Sequence, residues 1–215
     1  MLNDKRLAAA VVSAAKNGVL KYSQYGERLD LIGEDWALTV RQEYAREKLR
    51  ETLGVIVKML GYIPQGSCAE IFKVKDGFAM QELSPETFGE ELAFMTKCSG
   101  AADCRTTPVS IGVRRLLQTF SGRIAGLEAA PIAIAGGSDV LPKMSVDGKR
   151  VRWEKYNWEF TAKSFRPEEG SASVKLLALW ASLEGLSLTE WPAGQAYKEN
   201  PEQYRIEEEE ASDDE

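Results

Sequence analysis

Histidine is absent from this chain. That removes imidazole as a general acid or base, the serine–histidine and cysteine–histidine nucleophile pairs, and every zinc site that uses an imidazole ligand. Cysteine is scarce: Cys68, Cys98 and Cys104 are odd in number, with no CxxC spacing. Neither a disulfide framework nor a structural zinc site is expected, and reduced thiols in a cytoplasmic protein are the simple reading. No apolar run approaches the roughly 20 residues that cross a membrane. The opening MLNDKRLAAAVVSAAKNG places Lys5 and Arg6 ahead of an alanine-rich stretch. Asp4 interrupts the basic part and Lys16 follows at once, so an intracellular helix is expected rather than a secretory signal. The Walker, GxGxxG and GxSxG patterns are missing as well.

What remains offers little for catalysis. Ala135 to Asp139 (AGGSD) reads as an ordinary turn. The pairs Glu90-Glu91 and Glu168-Glu169 are adjacent in sequence, and neighbours on a helix do not share a face. No further ligand is spaced to complete a metal site. The expectation is a non-enzymatic protein with no metal and no cofactor.

At 44% hydrophobic and 28% charged, the 215 residues suffice for one domain with a core of its own. Their charge is unevenly spread. The stretch IEEEEASDDE carries Glu207 to Glu210, Asp213, Asp214 and Glu215 with no basic residue. Without those seven charges the chain's −6 becomes +1. Residues 104–166 hold eleven Lys or Arg against five Asp or Glu, and no acid lies between Asp103 and Glu128. A basic half joined to an acidic tail suggests nucleic-acid contact, with the tail as a tethered competitor for a cationic groove.

Periodicity gives the expected elements. An alanine-rich helix runs from residue 3 to about 17. A longer one covers about 34–60, with Ala45, Leu49, Leu53, Ile56 and Leu60 along one face. Arg41, Arg46, Lys48 and Arg50 alternate there with Glu43, Glu47 and Glu51 as a solvated face. Residues 69–83 read as a hairpin turning at Asp76-Gly77, and Ser84-Pro85 caps a helix to about Lys97. Thr107-Pro108 opens a further helix, its stripe being Val113, Leu116, Leu117, Phe120, Ile124 and Leu127. Arg114, Arg115 and Arg123 lie off that stripe. APIAIAGG reads as a short buried strand, and 143–153 as a second hairpin turning at Asp147-Gly148. VKLLALWASLEG has a composition that favours a helix closed by Gly185, with a strand as the alternative. The expected fold class is α+β: N-terminal helices, two hairpins and further helices in one domain at 1–191, then a disordered acidic tail at 192–215. No internal repeat is apparent. The long helix at 34–60 could pair with a copy of itself or equally span its own core; a homo-oligomer is the expectation.

The stretch GKRVRWEKYNWEF holds four basic and four aromatic residues in thirteen positions. Treated as one strand, it places Lys149, Val151, Trp153, Lys155 and Asn157 on one face. Arg150, Arg152, Glu154, Tyr156, Trp158 and Phe160 take the other. Tyr156, Trp158 and Phe160 are expected mainly in the core. Trp153, among lysines, is the candidate for stacking on an unpaired base. The expected phosphate contacts are Lys149, Arg150, Arg152, Lys155, Arg114, Arg115 and Arg123, with Trp153 and Tyr156 as stacking partners.

With its basic, aromatic β surface and terminal EEEEASDDE, the chain resembles the acidic-tailed single-stranded-DNA-binding proteins of bacteriophages. Among them it is similar in kind to the transcription regulators of podophages. The first sixty residues read as helical, where an OB-fold binder would be mostly strands, and the tail ends in Glu215 rather than an aromatic residue. The resemblance implies sequence-independent binding of single-stranded DNA in phage replication or transcription, in the host cytoplasm. RNA polymerase or replication proteins would be partners through the tail. The alternative is an interaction regulator or inhibitor that sets its acidic tail against a nucleic-acid enzyme.

Overall fold

The computed structural model describes residues 2–60, 66–136, 140–168, 170 and 172–188. The helices are α1 (Asp4–Lys16), α2 (Glu47–Leu60), α3 (Pro85–Thr96), α4 (Ala129–Ala135) and α5 (Val174–Glu184). The strands of the first half are β1 (Leu20–Tyr25), β2 (Arg28–Ile32), β3 (Trp36–Arg41), β4 (Cys68–Val74) and β5 (Gly77–Leu83). Those of the second are β6 (Ala102–Ile111), β7 (Arg114–Thr119), β8 (Ile124–Glu128), β9 (Lys143–Met144), β10 (Arg150–Lys155) and β11 (Trp158–Lys163).

All eleven strands join one antiparallel sheet in the order β5-β4-β1-β2-β3-β11-β10-β9-β6-β7-β8. This overturns the expected arrangement of helices with two hairpins. The sheet also has a repeat that the sequence does not display. At its centre β3 pairs with β11, the last strands of two three-strand meanders, each preceded by a helix: α1 before β1-β2-β3 and α4 before β9-β10-β11. Outward from that seam, β4-β5 adds to β1 and β6-β7-β8 adds to β9. Near the far end, Gly126 of β8 exchanges two backbone hydrogen bonds of 2.8 and 2.7 Å with Phe165, just past β11, so part of that edge is paired.

Two expected helices dissolve into strands for the same reason. In 34–60, Trp36, Leu38 and Val40 point into the main core while Ala37 turns to the opposite face of β3. This alternation is a strand's, and the helical stripe begins only at Ala45. In 107–127, Leu116 and Leu117 are both buried, but in different cores on opposite faces of β7. A strand buried on both sides produces the adjacent apolar pairs that also suit a helix. Gly112 and Gly122, at φ of 54° and 90°, occupy the left-handed turns that break the run. The expected strand at 130–137 is instead the short helix α4, which tolerates Pro131 in its first turn. Helices α1, α3 and α5 and the β4–β5 hairpin fall where the sequence places them. Ser84 and Ser173 accept hydrogen bonds from Thr87 N and Leu176 N as side-chain caps. The expected tail and the 191/192 boundary lie outside the described residues.

The main core lies between the inner sheet face and α1, α2 and α4, with Leu7, Val11, Leu49, Leu53 and Ile56 facing Leu38, Trp153 and Phe160. The α2 stripe is therefore spent on the chain's own core and carries no argument for self-association. A second cluster packs α3 on the outer face through Phe88, Leu92 and Met95 against Ile32, Ala37 and Cys68. A third holds α5 on β7 and β8 through Trp180 and Leu183 against Leu116 and Ile124.

Candidate nucleic-acid interface

GKRVRWEKYNWEF is two strands, not one. Lys155 pairs with Trp158 across a two-residue turn at Tyr156-Asn157, and Trp153 pairs with Phe160. Directly opposed residues share a face, so the turn resets the alternation and puts Val151, Trp153, Trp158 and Phe160 together in the core. Trp153 is 4% exposed, with its ring 5.8 Å from that of Phe160. It is not placed to stack on a base. Tyr156, expected mainly in the core, is 85% exposed and lies under the guanidinium of Arg41 at 5.4 Å.

Nearby cations are largely matched by carboxylates of the same sheet face. Lys143 meets Glu154 at 2.5 Å, and Arg152 reaches Glu154 at 3.2 Å and Glu159 at 3.9 Å. Lys149 pairs with Glu168. The Lys143 hydrogen bond, first among its causes, holds the Glu154 carboxyl below its ordinary range. Burial pushes Glu159 up, against the lowering effect of Arg152. Arg150 lies over the Phe94 ring at 5.0 Å. In the region expected to be a basic helix, Arg114 covers Phe165 at 4.7 Å and stands 3.8 Å from Glu128. Arg115 donates to Thr107 O, and Arg123 is half-buried in the β7–β8 turn. The sequence-expected residues thus fall on two hairpins, without forming one cationic groove. Lys155 and Tyr156 are exposed at the sheet end.

A different surface is basic, with no carboxylate among the residues that line it. Along α1, Lys5, Ala9, Val12 and Lys16 recur at steps of four, three and four, a single stripe. Lys48 and Thr52 of α2 face that stripe across a shallow groove of about 630 Å³, whose other lining residues are Ala8 and Ser13. Small side chains keep its floor smooth. Lys5, Arg6 and Lys16 make no ion pair among the described residues, and Lys48 has Glu51 at 3.1 Å on the outer rim. The two helices are tied at one end. Asp4 accepts from the backbone N–H of Lys48 at 2.8 Å and of Leu49 at 3.1 Å. One carboxylate of α1 thereby satisfies two amides in the first turn of α2. The sequence contained the lysine stripe, but an alanine-rich helix with scattered charge resembles any solvated helix until a neighbouring helix supplies the second wall.

Burial disfavours the thiolate at two of the three cysteines. Burial pushes the Cys104 thiol up to about 12, with Cys98 and Asp103 adding to the shift. Burial raises Cys98 as well. Iodoacetamide near neutral pH should leave Cys104 unmodified in the native protein and label it in the denatured chain, as peptide mass mapping would show. Rapid native labelling of Cys104 would contradict its burial. Among the described residues, no three His, Cys, Asp or Glu gather to hold a metal, and no helix is long and apolar enough to cross a membrane.

No protein-family model and no curated protein matches the chain. Solved structures that resemble it include the DNA polymerase sliding clamp from Bacillus subtilis, at 10% identity and a TM-score of 0.36 over 78% of this chain and 64% of that one. A putative DNA polymerase III beta subunit from Eubacterium rectale matches at 10% identity, a TM-score of 0.34 and the same coverages. The Helicobacter pylori beta clamp matches at 9% and 0.30, over 79% and 63%. The chain spans less than two thirds of each. These are sliding clamps, not phage single-stranded-DNA-binding proteins. With Trp153 in the core, the resemblance drawn from the tail and hairpin is withdrawn. At such TM-scores the likeness to clamps lends no weight to a functional reading.

Proposed function

We propose that this is a non-enzymatic, DNA-associated protein of the cytoplasm, acting in replication or transcription, which holds the nucleic-acid backbone in the α1–α2 groove. The observation that carries the reading is the groove itself: Lys5, Lys16 and Lys48 around a smooth floor, with no carboxylate in the lining. Such a surface attracts phosphates by charge and reads no base edge, so binding is largely independent of sequence. Single strands are included among its ligands. The absence of histidine and the burial of Cys104 support a binding role over a catalytic one.

Three lysines on phosphates predict that log K falls with log salt by about 2 for single strands and about 2.7 for duplex. Replacing Lys5 and Lys16 together by alanine should reduce that slope by roughly 2 for duplex and weaken binding alike across sequences. Fluorescence anisotropy with an oligothymidylate and a mixed-sequence duplex measures both quantities. Wild-type affinity in the double variant would overturn the reading. Lys149→Ala is the control, since Lys149 lies outside the groove lining, and should change little.

A further inference from the structure

We infer that the acidic segment Glu207–Glu215 docks into the α1–α2 groove of its own chain. The seven carboxylates of that segment, without a basic residue, complement in charge a groove lined by Lys5, Lys16 and Lys48 with no carboxylate. The sheet face around β10 and β11 is a poorer seat for such a segment, because Glu154 and Glu159 already stand among its cations.

Length and spacing also fit. From Leu188, the last residue described, 18 residues lead to Ile206. An extended chain of that length reaches up to about 60 Å, enough to pass around a domain of this size. Lys5 and Lys16 stand eleven residues apart on α1, which at the helical rise is about 16 Å. The acidic segment has two blocks, Glu207–Glu210 and Asp213–Glu215. Their centres lie about 18 Å apart when the chain is extended, so one block can meet each lysine while Ala211 and Ser212 cross the floor at Ala9 and Val12. The segment has no aromatic residue and the floor has only small ones, so the contact is electrostatic and yields to salt. Docking rests on the groove's charge alone. Its consequence, competition with DNA, rests on the function proposed above.

The test compares amide spectra of the full chain, a chain truncated after Ile206, and a same-length variant with Glu207 to Glu210 changed to Gln, at low and high salt. DNA affinity is measured on the same three proteins. The expected result is a set of shifts between full and truncated chains centred on Lys5, Ala9, Ser13, Lys16 and Lys48. They should be lost at high salt, reduced in the glutamine variant and independent of protein concentration. DNA binding by the truncated chain should be about three- to tenfold tighter at low salt, as a tethered millimolar competitor predicts. Absent shifts, shifts centred elsewhere, or shifts that grow with concentration overturn docking within the chain, whatever the DNA result. Shifts on α1 and α2 in a truncated protein that fails to bind DNA support docking and overturn the DNA reading instead.

Discussion

Trp153→Ala should destabilise the protein by about 3–5 kcal/mol, the usual cost of truncating a large buried aromatic side chain. Trp153 is 4% exposed and lies at the centre of a run of rings: Phe160 is 5.8 Å from it and Trp36 is 6.4 Å beyond Phe160. Phe160 belongs to β11, and Trp36 to β3, so the three rings bridge the seam at which the two meanders meet. Their loss leaves a cavity at the junction of the halves rather than at a margin. Urea denaturation followed by circular dichroism measures the change. Trp153→Phe, which keeps an aromatic ring in the site, should recover a large part of it. The same pair of variants separates a packing role from a binding one. If Trp153 stacked on bases, the alanine variant would lose DNA affinity while keeping its midpoint; the core position predicts the reverse for whatever fraction remains folded.

Removing the Asp4 carboxylate should be the second most damaging change. Its two oxygens take the N–H groups of Lys48 and Leu49, amides in the first turn of α2. Those donors have no partner inside the helix. Loss of a capping side chain costs about 0.5–2 kcal/mol, and the lost charge at a helix N-terminus about 0.3–1 kcal/mol. Asp4→Ala should therefore lower the denaturation midpoint and speed hydrogen exchange at Lys48 and Leu49. Exchange in α3 and α5, which pack elsewhere, should not change. Asp4→Asn keeps one acceptor and should give an intermediate result. Equal exchange at Lys48 and Leu49 in all three proteins would show that the carboxylate does not hold α2. Because the bond joins α1 to α2, it also fixes the width of the groove between them.

The sequence was most legible where one local rule was enough. Ser84 announced its helix through a cap that needs only a neighbouring amide. Asp76-Gly77 announced the β4–β5 hairpin through its turn. The errors lie where a side chain's environment comes from distant chain. Leu116 and Leu117 look like part of a helical stripe because both are buried, and only two separate cores, one on each side of β7, show that they point apart. At Tyr156-Asn157 a turn without glycine interrupts what reads as an unbroken strand. That one missed turn exchanged the environments of Tyr156 and Trp153. The candidate site suffered in the same way. Basic residues concentrate in residues 104–166, but there glutamates from adjacent strands stand beside Lys143 and Arg152. The carboxylate-free groove formed instead from α1 and α2, forty residues apart.

By itself the sequence determined the chemistry open to this protein: no imidazole, no spaced thiols, a near-neutral body and a densely acidic stretch. It also determined the elements whose ends are set by the Ser84 cap and the Asp76-Gly77 turn. Tertiary structure alone decided that eleven strands share one sheet, that β3 meets β11, and which charges remain unmatched. The reason is that burial and ion pairing are properties of neighbours in space. In an antiparallel sheet of this order, those neighbours are as far apart in the chain as Phe160 and Leu38.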